Sequence, residues 1–234
     1  PILPLCGAAG DQNPLDLIQL SKHNQKTLPV WGGQTREVQR NFDLSAWCVQ
    51  IGSRITEAVM RGCQVALNQI ERDPVLRHSV LELDLSLRQV TEADYLDAKA
   101  KLEAVKAAQD PGKKLTIEQV VRLFEPMGVI DRWQLQQSTA VFRLSSHVLR
   151  IGRTALVTNP FELFCEYSLR IKARSRADQT IVVQLTDGSG GYLPTAAALQ
   201  GGSYSSKPAS TQCGPDGGDQ LVAETLQAIG QLWS

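Results

Sequence analysis

The sequence predicts an α/β fold, a mixed β-sheet flanked by helices, belonging to a domain that is incomplete within these residues. Three observations predict it. Residues 80–87 alternate in strict period two, with Leu81, Leu83, Leu85 and Leu87 against Val80, Glu82, Asp84 and Ser86, the signature of a half-buried strand. Thr180 to Leu185 is almost wholly apolar through Ile181, Val182 and Val183, the pattern of a strand buried on both faces near the centre of a sheet. Helical periodicity recurs both before and between these strands, as α/β layering requires.

Taken in order, residues 1–6 read as a short buried strand running into the turn Gly7-Ala8-Ala9-Gly10, and Asp16 to about Arg40 reads mostly as loop, with Pro29 and Gly32-Gly33 as breakers. From Ser45 to about Glu71, Ile51, Ile55, Val59, Cys63, Leu67 and Ile70 recur at helical spacing up to the stop at Asp73-Pro74, predicting a long helix with one face in the core. After the strand at 80–87, Thr91-Glu92-Ala93-Asp94 approximates a capping box for a charged helix over Tyr95 to Ala108. Thr116-Ile117-Glu118-Gln119 opens another, predicted to end around Pro126-Met127-Gly128. Strands follow at Ala140 to Leu144, Val148 to Ile151 and Ala155 to Thr158, the last two joined by Gly152-Arg153 at hairpin spacing. Asn159-Pro160-Phe161-Glu162 has the order of a helix start, with Asn as cap, Pro first and Glu third, so a helix is expected from Pro160 to about Arg174. The Gly- and Ser-rich stretch 187–218 is longer than a simple connection needs, and loops of that length are often functional. A helix over Asp219 to Leu232, packing through Leu221, Leu226 and Ile229, closes the pattern.

Composition narrows the function classes. With 24 basic and 24 acidic residues the net charge is zero, and no block of like charge provides a footprint for nucleic acid or an anionic membrane surface. No apolar run approaches the roughly 18 residues of a membrane-spanning helix, so no transmembrane segment is expected. The five cysteines, Cys6, Cys48, Cys63, Cys165 and Cys213, are scattered and form no Cys-x-x-Cys pair, which favours reduced core residues over a thiolate zinc site or a disulfide framework.

Several residues could carry chemistry, and each has a structural alternative. Glu162 fits the third position of a capped helix. Tyr192 and Tyr204, each beside glycines, fit loop aromatics whose hydroxyls find a backbone partner. Asp11 and Asn13 fit turn chemistry ahead of Pro14. His23, His78 and His147 are singletons in sequence, and no pair has metal-binding spacing.

Taken together, four motifs go further. Gly10-Asp11-Gln12-Asn13-Pro14, the strand leading into Pro160-Phe161-Glu162, Gly191-Tyr192-Leu193-Pro194-Thr195 and Gly202-Ser203-Tyr204, followed by a final helix, resemble in order and spacing the neutral/alkaline non-lysosomal ceramidases. The resemblance covers nearly the whole chain but only the downstream half of that family's catalytic domain. It is nearest to the short bacterial members without the carboxy-terminal immunoglobulin-like domain. It implies that residues 1–234 are the downstream part of a single ceramidase-like catalytic domain, acting in sphingolipid metabolism on an N-acyl lipid or a smaller acyl substrate. In that family a catalytic Zn2+ is held by two histidines of the upstream half, a glutamate matched by Glu162 and a tyrosine matched by Tyr192. Tyr204 matches a tyrosine that helps stabilise the oxyanion. The missing upstream half is then expected to supply the histidines, and an exposed sheet edge is expected where it pairs.

Two positions depart from the family pattern. The serine of Gly-Asp-x-Ser-Pro, the family's nucleophile, is Asn13 here, and a carboxamide is no nucleophile at neutral pH. Metal-activated attack needs no serine and leaves Asn13 to orient water or substrate. Pro-Gly-Glu has become Pro160-Phe161-Glu162, which is expected to set a bulky ring beside the metal ligand. The alternatives are a non-catalytic ceramidase-like protein that binds without turnover, and chance coincidence of the motifs in another α/β domain. The sequence assigns no compartment.

Overall fold

The computed structural model describes residues 3–14, 25–29, 35–39, 44–109 and 114–234. Two compact units are present, one of residues 1–12 and 75–234 and the other of residues 13–74.

In the smaller unit, β1 (Gln25–Pro29) pairs antiparallel with β2 (Thr35–Gln39), Gln25 opposite Gln39 and Pro29 opposite Thr35. The stretch expected to be loop therefore contains a ladder. Its strand residues are largely polar, so no period-two apolar signal marked them. His23 lies outside the described residues. The long helix is α1 (Leu44–Ala66), but its apolar face is not in a core. Ile55, Val59, Met60 and Val65 are exposed, as are Cys48 and Cys63. Periodicity identifies which face of a helix is apolar and does not say what covers it.

The larger unit holds β3 (Leu76–Ser86), α2 (Glu92–Ala107), α3 (Ile117–Gln136), β4 (Val141–Ile151), β5 (Thr154–Thr158), β6 (Glu162–Leu163), α4 (Cys165–Arg174), β7 (Gln179–Val183), β8 (Tyr192–Leu193), α5 (Ala196–Gly201) and α6 (Pro215–Leu232). The main sheet runs β3-β4-β5-β7, antiparallel except for the parallel pair β5–β7. It is a mixed sheet with helices, the α/β class that the sequence predicts. The β4–β5 hairpin turns at Gly152-Arg153 as expected, with Gly152 in the left-handed region at φ 58°. Both capping boxes form, Thr91 with Asp94 and Thr116 with Gln119.

Leu83, Leu85, Leu144, Val157, Val182 and Ile229 belong to one core cluster, to which Phe161, Tyr167 and Leu221 also contribute. Leu81 to Leu87 point inward at every second residue, so the alternation in β3 is the core face it seemed. A smaller cluster of Val90, Ala98 and Val129, with Tyr95 stacked on Trp133, joins α2 to α3.

Several expectations change with the structure. Residues 3–7 are exposed and form no strand; Cys6 is held by Gln184, whose backbone N–H donates to its carbonyl at 2.9 Å and whose Nε2 donates to its Sγ at 3.4 Å. The two strands expected between 140 and 151 are one continuous β4, because Ser145 and Ser146 pair across to β3 like their neighbours. Helix α3 continues through Pro126 to Gln136. Gly128 serves there as a contact point rather than a stop, since a β-carbon at that position would stand 2.2 Å from Cα of Ala209. Strand β7 is the last in the sheet order, not central, and its burial comes from packing of α4 against it. The cysteines are free, yet only Cys213 is a buried core residue.

Candidate functional site

The segment expected to begin a helix at Pro160 instead forms β6, and that difference builds the site. Asn159 does not cap a helix. Its Nδ2 donates to the Val183 carbonyl at 3.1 Å and its Oδ1 accepts from the Phe161 N–H at 3.2 Å, holding the chain extended at the end of β5. Glu162 and Leu163 then pair in parallel with Tyr192 and Leu193. Successive side chains of a strand point to opposite faces. Leu163 and Leu193 are accordingly fully buried, while Glu162 and Tyr192 share the other, partly exposed face.

Two glycines make this pairing possible. The Glu162 N–H donates to the Gly191 carbonyl at 2.8 Å. Gly191 has φ 64°, which favours glycine, and a β-carbon there would stand 2.5 Å from the Ser210 carbonyl oxygen. At Gly190 a β-carbon would meet the Phe161 ring at 2.4 Å. Phe161 is fully buried and packs on Phe142 with ring centroids 5.6 Å apart. The bulky ring expected beside Glu162 therefore lies in the core, and the missing side chain at 190 accommodates it.

Tyr204 arrives from the long loop. Thr195 caps α5, Gly202 ends it in the left-handed region, and Tyr204 opens a single 3-10 turn, Tyr204–Ser206. Its hydroxyl lies 3.0 Å from that of Tyr192, and the two rings meet edge to face with centroids 5.6 Å apart. Phe164 packs edge-on against the other side of Tyr192 at 6.5 Å. Burial first, then hydrogen bonds with Tyr204 and the Glu162 carboxylate, hold the Tyr192 phenol well above the ordinary tyrosine range, so it keeps its proton at neutral pH. Glu162, Tyr192 and Tyr204 thus form one cluster.

Asp11 stands beside it in a different role. Phe164, the residue before α4, has no side chain able to cap the helix. The Asp11 carboxylate takes that place, accepting from the Cys165 N–H at 2.9 Å, where a negative charge also complements the helix dipole. Burial raises the Asp11 pKa, but the hydrogen bonds led by Cys165 outweigh it and hold the carboxyl below its usual range. The turn itself is bonded to β6 by the Gly10 N–H, which donates to the Leu163 carbonyl at 2.8 Å. Asn13 begins the other unit.

Sequence reasoning missed the residues that hold the cluster together. Gln184 is buried, and its Oε1 accepts from both the Leu163 N–H at 2.9 Å and the Ala9 N–H at 3.1 Å. A glutamine closing the apolar run Ile181-Val182-Val183 was the available signal, since buried amides are rarely without partners. Arg132 donates through Nη1 to Gln212 Oε1 at 2.8 Å and through Nη2 to the Thr211 carbonyl, while Arg88 donates to Thr211 Oγ1 at 2.9 Å and to the Ser206 carbonyl. These two arginines pin the loop that carries Tyr204. Nothing in the local sequence around them indicated this.

The oxygen donors Glu162 and Tyr192 lie on one face and are of a chemical type that a zinc ion accepts; two donors are fewer than the four of a complete zinc site. Among the described residues no group of three or more His, Cys, Asp or Glu could hold a metal ion. No described helix is long and apolar enough to cross a membrane.

No protein-family profile matches the sequence, and no curated protein matches it. Solved structures to which the chain is similar include the neutral ceramidase from Pseudomonas aeruginosa, with a TM-score of 0.38 and 12% identity over 69% of this chain and 29% of that one. Another is a ceramidase complexed with C2, with a TM-score of 0.36 and 12% identity over 68% of this chain and 30% of that one. The chain therefore spans less than a third of the length of either.

Proposed function

We propose that the chain is the downstream part of a ceramidase-like catalytic domain and contributes to zinc-dependent hydrolysis of a linear amide, an N-acyl lipid or a smaller N-acyl substrate. The observation that carries the reading is the meeting of Glu162, Tyr192 and Tyr204, three residues from separate motifs, on one partly exposed face. Glu162 and Tyr192 are the ligands this chain would give to zinc. The upstream half would supply the histidines. When bound, zinc would polarise the amide carbonyl and lower the pKa of a nucleophilic water.

The chain's own residues then have distinct tasks. Glu162 and Tyr204 both hydrogen-bond the Tyr192 hydroxyl, which holds the three side chains together on one face. Tyr204 is 48% exposed, and its hydroxyl can turn outward to donate to the oxygen on which charge develops as the amide is attacked. Asp11 positions the start of α4 and so the strand bearing Glu162.

The test uses a fluorescent N-acyl amide and metal analysis on the full-length protein. Glu162→Ala and Tyr192→Phe should each lose zinc and turnover with the fold retained. Tyr204→Phe should keep zinc and lose about 10²–10³ in kcat. Full zinc and full turnover in either of the first two variants would refute the ligand assignment. Asn13 favours a second reading, a ceramidase-like protein that binds its ligand without cleaving it. A large gain of amidase activity in Asn13→Ser would support that reading, and loss from an active parent would support metal-activated attack.

A further inference from the structure

One edge of the main sheet stands open. In the β3–β4 ladder the Leu87 N–H donates to the Ala140 carbonyl at 2.9 Å and the Gly152 N–H to the Val75 carbonyl at 2.8 Å. Opposed residues of an antiparallel pair alternate between bonded and non-bonded, so the odd-numbered residues of β3 bond to β4 and the even-numbered ones direct N–H and C=O away from it. Two groups on that outer edge are taken within the chain. The Ser86 N–H donates to Gln220 Oε1 at 2.8 Å, and the Arg88 N–H to the Gln212 carbonyl at 2.9 Å. From Leu76 to Asp84 none is taken: among the described residues, no bond reaches the outward backbone groups of Leu76, His78, Val80, Glu82 and Asp84.

This run lacks the devices that guard an edge strand. Its register carries no bulge, and it contains neither lysine nor proline. All five side chains are exposed, Leu76 at 71% and Val80 at 48%. Three of them are held in place by β4. His78 Nε2 and His147 Nδ1 share a hydrogen bond at 3.0 Å, Glu82 accepts from Ser145 Oγ at 2.9 Å, and Asp84 accepts from Arg143 Nε at 2.8 Å. The edge is therefore a long, regular strand whose outward side chains are already ordered.

We propose that this edge pairs with the same edge of a second copy of the chain, antiparallel about a two-fold axis through Val80, so that two four-stranded sheets join into one. The ends of the open run specify the register. Val80 is the midpoint between Leu76 and Asp84, and pairing about it is the two-fold register that engages all five open residues, each opposed pair exchanging two bonds. The next pair outward would set Ser86 against Pro74, and neither is left wanting: the Ser86 N–H already bonds Gln220, and proline has no N–H. The same register sets the Glu82 carboxylate of each copy opposite the His78 imidazole of the other, a donor facing an acceptor, and opposes no like charges. A register centred on Glu82 would oppose two carboxylates. A contact of one strand pair is small beside a standard interface, so the dimer is reversible. The proposal is independent of the Glu162 cluster and of the activity proposed for it.

Sedimentation equilibrium of the full chain over about 10 μM to 1 mM should show a monomer–dimer equilibrium. Val80→Lys, which sets two ammonium groups face to face on the axis, should weaken the dimer about tenfold or more. Ile55→Lys, on the exposed apolar face of α1, should leave it unchanged. With the exposed Cys6, Cys48 and Cys63 replaced by serine, Val80→Cys should give a disulfide-linked dimer on oxidation by diamide, because the two residues of a bonded pair lie about 5.5 Å apart at Cα, within disulfide reach. Glu82→Cys in the same background should not, since its own counterpart lies four positions out of register. Amide exchange at Val80 and Glu82 should slow as the concentration rises. A monomer at the highest concentration, a dimer lost in Ile55→Lys but kept in Val80→Lys, or equal cross-linking of Val80→Cys and Glu82→Cys would overturn the proposal. So would a monomer in which these amides are protected, which would mean that another strand covers the edge. Unchanged far-ultraviolet circular dichroism in each variant separates loss of the contact from loss of fold.

Discussion

Gly10→Ala tests how the Gly-rich turn is fastened to the strand that carries Glu162. Gly10 is not in the left-handed region, so its need for glycine is one of room. A β-carbon would stand 2.2 Å from the Glu162 carbonyl oxygen and 2.7 Å from its carbonyl carbon, more than about 1 Å inside contact distance. Neither atom can give way easily, because Glu162 is bonded through its N–H to Gly191 and Leu163 through its carbonyl to Gly10. The turn must lift instead. Lifting it breaks the 2.8 Å Gly10–Leu163 bond, a loss of about 0.5–1.5 kcal/mol, and the residual overpacking costs about 1–3 kcal/mol. The smaller entropy of an unfolded chain with alanine returns about 0.4–1 kcal/mol. A net destabilisation of about 2 kcal/mol follows. Urea unfolding followed through Trp133 and Trp233 measures it, and faster amide exchange at Gly10 and Cys165 would locate it, since Asp11 moves with the turn. A variant within about 0.5 kcal/mol of the parent, the range of neutral surface changes, with unchanged exchange at both amides, would refute this account.

Two further outcomes follow from the same contacts. Gln184→Ala removes one oxygen that serves two N–H groups, that of Leu163 fully buried and that of Ala9 partly so; it should destabilise the larger unit by about 2–4 kcal/mol, and a shift in urea midpoint worth less than 1 kcal/mol would show that water replaces the amide. Burial pushes the Cys213 thiol up to about 12, so at pH 8 iodoacetamide should label the exposed Cys6, Cys48 and Cys63 and spare Cys213 until urea unfolds the chain. Because the folded pKa lies above the unfolded one, this thiol's contribution is complete below about pH 9 and is lost as pH rises towards about 12. Labelling of Cys213 at the rate of the exposed thiols would contradict its burial.

The elements legible in the sequence are those whose signal is local. The leucines of β3 alternate because one face of that strand meets the core, and Thr91 and Thr116 cap their helices with residues three positions away. Where a residue's partner lies far along the chain, local reading fails. Asn159-Pro160-Phe161-Glu162 has the local order of a helix start, yet Asn159 donates to the Val183 carbonyl and Glu162 to that of Gly191, partners that lie 24 and 29 residues further along the chain. Pro126 and Gly128 have the local form of a stop, but α3 continues because Ala209 packs where a side chain at 128 would be.

The candidate residues follow the same division. Glu162, Tyr192, Tyr204 and Asp11 were all named from motif order, which says that they belong together without saying how. The parallel pairing of β6 with β8 decided that Glu162 and Tyr192 share a face. The close of α5 at Gly202 decided that Tyr204 reaches them. Arg88 and Arg132 left no local trace, and Gln184 left only its place at the end of an apolar run, because their importance lies in groups they satisfy 21 to 175 residues away; the contact of His78 with His147 emerged only from the β3–β4 register. The sequence by itself determined the fold class, the helix caps and the chemical types present, since these depend on periodicity and near neighbours. The tertiary structure decided which of those groups meet, because strand register and glycine contacts between distant segments fix positions to within ångströms and no local pattern carries that information.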